Sequence, residues 1–360
     1  MQLSKNVKRT IKGILFLIVL VVLTILLDAS FEFDESATEA MLTKYSRKTD
    51  LDTVFVGNSA GEIFDSDLYS SISGNRAFNM CTPSQGLMIS QKNIEMACRH
   101  HKIKNVILLI TPDSVDYSGY DAIEHLYDRV VDSSSPFFSR IVSIIKRNFK
   151  KSFARETVKT EKSVSIWIPW GNETNHGINN IIENLNRRTK RALDRRPLGC
   201  DIAYDLNETV YETNPADPSE EDSKLFRENL SELETLDLPE GMVAPDKLEY
   251  LNDICLFCRA NGIDLKVIVT PHRSDYFDRY ENFRQYNEIV DRYLNDFVSQ
   301  RGFVYYNTEY DPNLHKILPD SYFYDWKHIK EEYRDIATEY LADVINRIRQ
   351  NDQNQYMEEQ

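Results

Sequence analysis

Two largely apolar runs constrain the fold of this 360-residue chain most strongly. They read KNVILLI at residues 104–110 and DLKVIVT at residues 264–270. Because apolar residues continue through them without alternation, both runs are typical of strands buried on both faces. Shorter strand-like runs occur at residues 52–56, 76–80 and 302–307. Helical segments lie between these runs, and the alternation predicts a parallel sheet of about five strands with helices on both faces.

The clearest predicted helix lies near the C-terminal end of the chain. The segment EEYRDIATEYLADVINRIRQ, residues 331–350, repeats apolar residues at steps of three and four, so one face should pack on the sheet. That face consists of Tyr333, Ile336, Ala337, Tyr340, Leu341, Val344, Ile345 and Ile348. Helices are also predicted within residues 84–101 and 286–301. Residues 351–360 are polar, and we expect them to form a frayed tail.

Two cysteines, Cys255 and Cys258, form a C-x-x-C motif within a further predicted helix, residues 247–263. The sequence has no second pair at zinc-like spacing. Cysteine is commonly a small buried apolar residue, and we favour that interpretation over a metal or redox site. We expect neither a metal nor a cofactor, because the sequence contains no metal-ligand spacing, phosphate-binding loop or dinucleotide fingerprint.

The N-terminus combines basic residues with an uncharged apolar stretch. Four Lys and Arg residues within 5–12 precede GILFLIVLVVLTILL at residues 13–27, and acidic residues follow within 28–35. The stretch is apolar all round, and flanking residues can extend it to the length of a transmembrane helix. The charge asymmetry places the N-terminus in the cytoplasm. We therefore predict a basic tip and membrane anchor over residues 1–30, followed by a linker over residues 31–50.

A cleavable signal peptide is the alternative interpretation of the same segment. Asp28 falls where such a cleavage site requires a small residue, which favours an uncleaved anchor. On either interpretation the rest of the chain faces the outside of the cell membrane. We therefore expect a single-pass membrane protein whose main domain is extracytoplasmic.

A long interruption, residues 115–245, separates the third and fourth predicted strands of a domain expected to span residues 51–350. It is too long for a simple loop and should contain mostly helical structure of its own. Residues 138–196 carry 14 Lys and Arg against 5 Asp and Glu. An amphipathic segment at residues 137–155 is either a cap helix with solvated lysines or a helix that lies against anionic headgroups or an anionic polymer.

Two motifs at opposite ends of the chain carry the candidate chemistry. GNSAG, residues 57–61, places Ser59 directly after the first predicted strand, and Asp325-x-x-His328 precedes the last helix. A serine nucleophile needs a base within about 3 Å, and the base needs a partner that fixes its tautomer. If both segments meet at the C-terminal edge of the sheet, where ligands bind in open parallel sheets, these three side chains come into reach. The alternative for GNSAG is an ordinary turn.

With these motifs in place, the sequence resembles the SGNH/GDSL hydrolase superfamily. More narrowly, it is similar to the membrane-anchored bacterial branch that includes the teichoic-acid D-alanyl transfer protein and SGNH partners of membrane-bound O-acyltransferases. The matching segments are VFVGNSAG, NMCTPSQG, VILLITPDS and YFYDWKHIKEEYRDIATEYLADVI. The resemblance covers residues 51–115 and 250–348 and leaves the insertion outside.

The resemblance implies a three-layer α/β/α, flavodoxin-like fold with a central parallel sheet. It also implies Ser59 as the nucleophile, His328 as the general base and Asp325 as the residue that orients the base. The backbone N–H of Ser59 would supply one donor to the oxyanion that forms on the substrate.

The chain departs from the family pattern at the other oxyanion donors. Cys81 stands where the second block usually has a glycine, and Gly86 follows five residues later. The asparagine of the third block is missing, and Asp113 lies in that region, where its charge would repel an oxyanion unless it is protonated. Gln85 is a candidate replacement donor.

His272 and Arg273 follow the fourth predicted strand and should lie at the same edge of the sheet. Arg273 is a candidate ligand for a carboxylate or phosphate group of the substrate. The alternative is a local ion pair with Asp275 or Asp278.

These residues favour an envelope-facing serine esterase or O-acyl transferase that forms an acyl-serine intermediate. The resemblance implies acetyl or D-alanyl esters of cell-surface polysaccharide or teichoic acid as substrates. The alternative, which the basic insertion favours, is a non-catalytic protein that binds an anionic envelope polymer or a membrane-bound O-acyltransferase. The net charge of −14 argues against a nucleic-acid partner.

Overall fold

The computed structural model describes residues 6–7, 9–16, 19, 37–83, 85–115, 245–278 and 283–358. The chain divides into two compact units, Met1–Ser36 with Ser135–Arg195, and Ala37–Ser134 with Arg196–Gln360. Residues 9–16 of the first unit are helical. All elements numbered below belong to the second unit.

Five parallel strands form the sheet, in the order β2-β1-β3-β4-β5. They are β1 Thr53–Gly57, β2 Ala77–Asn79, β3 Asn105–Ile110, β4 Asp264–Val269 and β5 Val304–Asn307. The structure confirms the five predicted strands, each within two residues at either end. This is the order of doubly wound sheets of the flavodoxin type, in which the connections change direction between β1 and β3. Ligands of such sheets bind at the carboxyl ends of those two strands.

Helices cover both faces of the sheet, as predicted. They are α1 Ala37–Tyr45, α2 Ser66–Ser73, α3 Leu87–His100, α4 Pro245–Ala260, α5 Phe283–Ser299, α6 Leu314–Ile317 and α7 Arg334–Glu358. Alternate residues of the strands face opposite sides: Val54 and Val56 join a core with α1, α3, α4 and α5, whereas Phe55 joins a second core with α2 and α7. The two cores lie on opposite sides of the sheet, because successive side chains of a strand point to opposite faces.

Helix α7 packs on the sheet with the predicted face. Six of its residues are buried: Ala337, Tyr340, Leu341, Val344, Ile345 and Ile348. Tyr333 and Ile336 are half-buried against the same core. The helix continues to Glu358, so most of the predicted tail is helical.

Helix α1 corrects the prediction of a linker over residues 31–50. Met41 and Tyr45 lie one turn apart on this helix, and both are buried in the core. An apolar pair at this spacing faces one side of a helix, but two residues within a mostly polar stretch were too few to predict one.

Cys255 and Cys258 are free thiols buried in α4. Burial raises the pKa of Cys255 to about 11 and also raises that of Cys258. Both therefore pack as small apolar side chains. Among the residues that the structure describes, no group of three or more His, Cys, Asp and Glu side chains could hold a metal ion.

Two predicted features lie largely outside the described residues. Residues 13–27, the predicted membrane anchor, are described only in part, and no helix in the described ranges is long and apolar enough to cross a membrane. Of the predicted insertion, only its end residues, 115 and 245, are described. The predicted amphipathic helix at residues 137–155 lies wholly outside them.

Candidate active site

The turn that carries Ser59 begins where β1 ends. Gly57 is the last residue of β1, and Ser59 opens a single 3₁₀ turn. Gly57 lies opposite Leu109 of β3, and a Cβ atom on Gly57 would lie 2.0 Å from the Leu109 carbonyl oxygen. Only glycine allows such a close approach of two backbones. A Cβ atom on Gly61 would lie 2.7 Å from Cys81 Sγ, so both glycines of GNSAG permit close packing around the serine.

Asn58 ties this turn to the end of β3. Its side-chain oxygen accepts the N–H of Ala60 at 3.1 Å. Its amide nitrogen donates to Thr111 Oγ1 at 2.6 Å and to Ser114 Oγ at 3.1 Å. Because Asn58 is bonded on both sides, the backbone on either side of Ser59 is held in one conformation.

Asp325 organises the loop that carries His328. Its Oδ1 atom accepts the backbone N–H groups of Lys327 and His328, both at 2.8 Å. The N–H of Tyr324 donates to the carbonyl oxygen of His328 at 2.8 Å and closes the loop. This side chain-to-backbone bonding is a common role of Asp in turns, and it places the imidazole beside the carboxylate.

The structure brings Ser59, His328 and Asp325 into one hydrogen-bonded chain. Ser59 Oγ lies 2.8 Å from His328 Nε2, and His328 Nδ1 lies 2.7 Å from Asp325 Oδ2. Ser59 and His328 are 269 residues apart in the sequence. The side chains of His328 and Asp325 are 18% and 16% exposed, so both groups are accessible but mostly shielded from water.

Asp325 remains ionised at neutral pH. Burial acts to raise its pKa, but hydrogen bonds from the His328 side chain and from the N–H groups of Lys327 and His328 lower the pKa below its ordinary value. An ionised carboxylate only accepts hydrogen bonds, so His328 Nδ1 must carry a proton. In the neutral imidazole, Nε2 then presents its lone pair to the Ser59 hydroxyl, which is the orientation a general base requires.

The backbone N–H of Cys81, a predicted oxyanion donor, is already in use. It donates to Asn79 Oδ1 at 2.9 Å. Asn79 Nδ2 in turn donates to the carbonyl oxygens of Gly61 and Phe64, both at 2.8 Å. The Cys81 side chain is fully buried, and burial raises the pKa of its thiol. Cys81 therefore belongs to the packing beneath the serine turn.

Gln85, the predicted replacement donor, also faces inward. Its amide nitrogen donates to Ser90 Oγ at 3.1 Å, and its oxygen accepts from Thr82 Oγ1 at 2.8 Å and from Asn93 at 3.3 Å. Gly86 caps α3 with φ −81°, a backbone angle open to any residue. The conformational freedom of glycine is therefore not needed there.

Asp113 lies in the 3₁₀ turn Pro112–Ser114 after β3. Its side chain falls outside the described part of the structure. Thr111, next to this turn, is fully buried, and its hydroxyl accepts the hydrogen bond from Asn58. The segment after β3 thus supports the serine turn through Thr111.

His272 and Arg273 do lie after β4, and both make contacts within the fold. Of their side-chain nitrogens, only His272 Nε2 is buried without a hydrogen-bond partner in the described part of the chain. His272 is fully buried, its ring stacks on Tyr276 at 4.2 Å, and its Nδ1 lies 3.2 Å from Glu309 Oε1. Arg273 binds both carboxylate oxygens of Asp275, at 2.5 and 2.6 Å. The bond to Asp275 raises the pKa of Arg273. The structure thus favours the local ion pair over a substrate carboxylate or phosphate.

One predicted oxyanion donor remains available. Within the described residues, the backbone N–H of Ser59 makes no hydrogen bond. Sequence reasoning overlooked Asn58 and Asn79, which hold the turn around it. Asn58 directly follows β1 and Asn79 is the last residue of β2. Asn often bonds to nearby backbone where a strand gives way to a turn, and this position was the available signal.

No family model matches this chain, and no curated protein matches it at a significant level.

Proposed function

We propose that this protein is a serine esterase or O-acyl transferase that works through an acyl-Ser59 intermediate. One observation carries the proposal: Ser59 Oγ lies 2.8 Å from His328 Nε2, while Asp325 holds the opposite side of the imidazole. This arrangement performs acyl transfer on several unrelated folds, so it is recognised by geometry.

The reaction has two half-steps. In the first, Ser59 Oγ attacks the ester carbonyl carbon, and its proton passes to His328 Nε2. The backbone N–H of Ser59 donates to the carbonyl oxygen as it gains negative charge. When the ester bond breaks, His328 returns the proton to the departing alcohol. In the second, water or a sugar hydroxyl loses a proton to His328 and attacks the acyl-serine. The bond from the acyl carbon to Ser59 Oγ then breaks, and His328 returns the proton to Ser59 Oγ.

The proposed substrates are acetyl or D-alanyl esters of a cell-surface polysaccharide or teichoic acid. This part of the proposal rests on the resemblance to membrane-anchored SGNH proteins, and the doubly wound sheet with the serine turn after β1 supports it. In the proposed arrangement, residues 13–27 anchor the domain in the membrane with the N-terminus in the cytoplasm. A membrane-bound O-acyltransferase is then a candidate partner.

The test uses the full-length protein, a fluorophosphonate probe and p-nitrophenyl acetate. We expect covalent labelling and ester cleavage that both disappear in Ser59→Ala. Ser71→Ala is the matched control, because Ser71 lies on α2 and, among the residues that the structure describes, its hydroxyl bonds to the Leu68 carbonyl oxygen, 2.7 Å away. Labelling that persists in Ser59→Ala would contradict the proposed function.

A non-catalytic scaffold is the second candidate, and the loop after β2 favours it. The Cys81 N–H and the Gln85 amide nitrogen both donate hydrogen bonds to groups within the fold. Loss of one oxyanion donor typically lowers kcat by about 10² to 10³. A scaffold would show no labelling between about pH 6 and about pH 9, would bind an anionic polymer such as teichoic acid, and would keep that binding in Ser59→Ala.

A further inference from the structure

We propose that the post-β4 segment, residues 271–276, positions the Asp325–His328 loop, and that Glu309 is the positioning residue that anchors this segment to the sheet. The inference rests on the proposed function, because it assigns the segment a role in aligning the same acyl-transfer site. It also gives His272 and Arg273 a different role from the substrate contact that the sequence suggested.

The post-β4 segment contacts the catalytic loop directly. The backbone N–H of Arg273 donates to the carbonyl oxygen of Trp326 at 2.9 Å. Trp326 lies between Asp325 and His328 in the sequence, so this bond fixes the middle of the loop.

A second contact holds the approach to the catalytic loop. The N–H and the hydroxyl of Ser274 donate to the two carboxylate oxygens of Asp320, at 2.9 and 2.6 Å. Asp320 starts the turn from which the chain enters the loop. The segment therefore bonds both to the loop and to the turn that precedes it.

Glu309 connects the post-β4 segment to the edge of the sheet. Its Oε1 atom accepts both the backbone N–H of His272, at 2.8 Å, and the His272 ring nitrogen Nδ1, at 3.2 Å. The backbone N–H of Glu309 donates to Asn307, the last residue of β5, at 3.0 Å. The neighbouring Thr308 hydroxyl bonds to the carbonyl oxygen of Val269 in β4 at 2.9 Å. Glu309 is thus held by two strands.

These contacts form a continuous path from rigid strands to the catalytic pair. It runs from β5 through Glu309, His272 and Arg273 to Trp326, and from there to the neighbouring Asp325. Loops hold catalytic groups less precisely than strands do, and a shift of about 1 Å in a reacting group can lower a rate about 100-fold. Hydrogen bonds that connect the loop to the edge of the sheet therefore keep Asp325 and His328 aligned for the proposed reaction.

The variants separate positioning from folding. Glu309→Ala removes the acceptor of both His272 bonds, whereas Glu309→Gln keeps a carbonyl oxygen that accepts both. Ser274→Ala removes one exposed hydroxyl contact with Asp320 and leaves the core intact. Asp278→Asn is the matched control, because Asp278 follows the same segment and bonds to the exposed Arg284 at 2.7 Å.

We expect Glu309→Ala to lower kcat for p-nitrophenyl acetate about tenfold while KM changes less than about twofold. Glu309→Gln and Asp278→Asn should retain the wild-type kcat. Ser274→Ala should lower kcat about threefold, the ratio that corresponds to one weak hydrogen bond. If Glu309→Ala only reduced the amount of folded protein, the measured activity would fall for a reason other than positioning. Thermal unfolding of each variant measures the folded fraction and identifies that outcome.

A second readout does not depend on activity. Proton NMR of the full-length protein should show a downfield resonance from the His328–Asp325 hydrogen bond that is lost in Glu309→Ala and kept in Glu309→Gln. If the wild type lacks Ser59-dependent labelling but shows this pattern, the proposed function fails and the positioning role stands. If Glu309→Ala is folded and changes neither kcat nor the resonance, the positioning role is wrong.

Discussion

Two loops at the same edge of the sheet use their polar groups in opposite ways. The serine turn after β1 presents Ser59 Oγ to His328, a residue of a distant loop, at 2.8 Å. In the loop after β2, the Cys81 N–H and the Gln85 side chain turn inward, to Asn79 and to α3. The sequence predicted a role in the site for both loops, so the difference shows that a motif identifies the position of a group and leaves its bonding partner open.

The difference has a chemical consequence. The proposed nucleophile, base and orienting carboxylate are in hydrogen-bond contact, whereas two of the expected oxyanion donors bond within the fold. Electrostatic stabilisation of the oxyanion is usually a large part of acyl-transfer catalysis. We therefore expect activation of the serine to be intact and turnover to be slow.

Asp325→Asn should have the largest effect on the assembled half of the comparison. The introduced side-chain amide can donate to His328 Nδ1, which moves the imidazole proton to Nε2 and removes the base. We expect kcat for p-nitrophenyl acetate to fall about 10⁴-fold. Steady-state kinetics and the rate of fluorophosphonate labelling measure it, with Asp278→Asn as the control for charge. An unchanged labelling rate would show that the assembled triad is not catalytic.

Gly57→Ala should have the largest effect on folding. The new Cβ would lie 2.0 Å from the Leu109 carbonyl oxygen, so β1 and β3 would have to separate. We expect the free energy of unfolding to fall by more than about 4 kcal/mol. Urea denaturation measures it.

Gly74→Ala is the control for Gly57→Ala. Gly74 has φ 72° but nothing within 4 Å of a Cβ atom, so it tests backbone strain alone. It should cost about 1 to 2 kcal/mol. Equal losses at both positions would mean that close approach of β1 and β3 is unimportant.

Gln85→Met tests the inward-facing half. Met fills a similar space but removes one hydrogen-bond partner from each of Thr82, Ser90 and Asn93. We therefore expect the free energy of unfolding to fall by about 1 to 3 kcal/mol. Because the Gln85 amide does not face the serine, kcat should stay at the wild-type value. Gln91→Met is the control: Gln91 lies on α3, just after Gln85, and within the described residues its side chain bonds to Glu95, at 3.1 Å. A fall in kcat of about 10² to 10³ would instead identify Gln85 as an oxyanion donor.

The smallest expected effect is a change in the free energy of unfolding at acidic pH. The pKa of Asp325 is lowered in the folded state, because its hydrogen bonds outweigh the opposing effect of burial. Its ionised form therefore stabilises the fold above the ordinary pKa of 3.8, and this stabilisation is lost as the pH falls through the lower folded pKa. Asp325→Asn lacks the contribution at every pH.

Urea denaturation of wild type and Asp325→Asn at a series of pH values measures this contribution. The difference in their free energies of unfolding should shrink below about pH 4, as Asp325 is protonated. A difference that stays unchanged from about pH 5 to about pH 2 would contradict the assignment of Asp325 as an ionised acceptor.

The sequence predicted the parts of the fold that depend on local patterns. Continuous apolar runs identified β3 and β4, and a residue directly after β1 must lie at the carboxyl edge of a parallel sheet. The Asp325-x-x-His328 spacing is similarly local, because one turn of backbone brings the two side chains together. These patterns were sufficient to predict the contact between Ser59 and His328.

The remaining features depend on choices between partners of similar energy. Whether the Cys81 N–H is free depends on the side-chain orientation of Asn79, and Arg273 could bind Asp275 or a ligand with similar chemistry. The contact between Glu309 and His272 joins residues 37 positions apart and has no local pattern. Such choices are settled by packing, which one sequence does not reveal.

The 269-residue separation between Ser59 and His328 orders events during synthesis. At 5 to 20 residues per second, the ribosome needs from roughly 13 to roughly 54 s to extend the chain from the alcohol to the imidazole. Throughout that interval the proposed base of Ser59 is absent. The acyl chemistry proposed for Ser59 therefore cannot begin before the Asp325–His328 loop has been synthesised and has packed beside the serine turn.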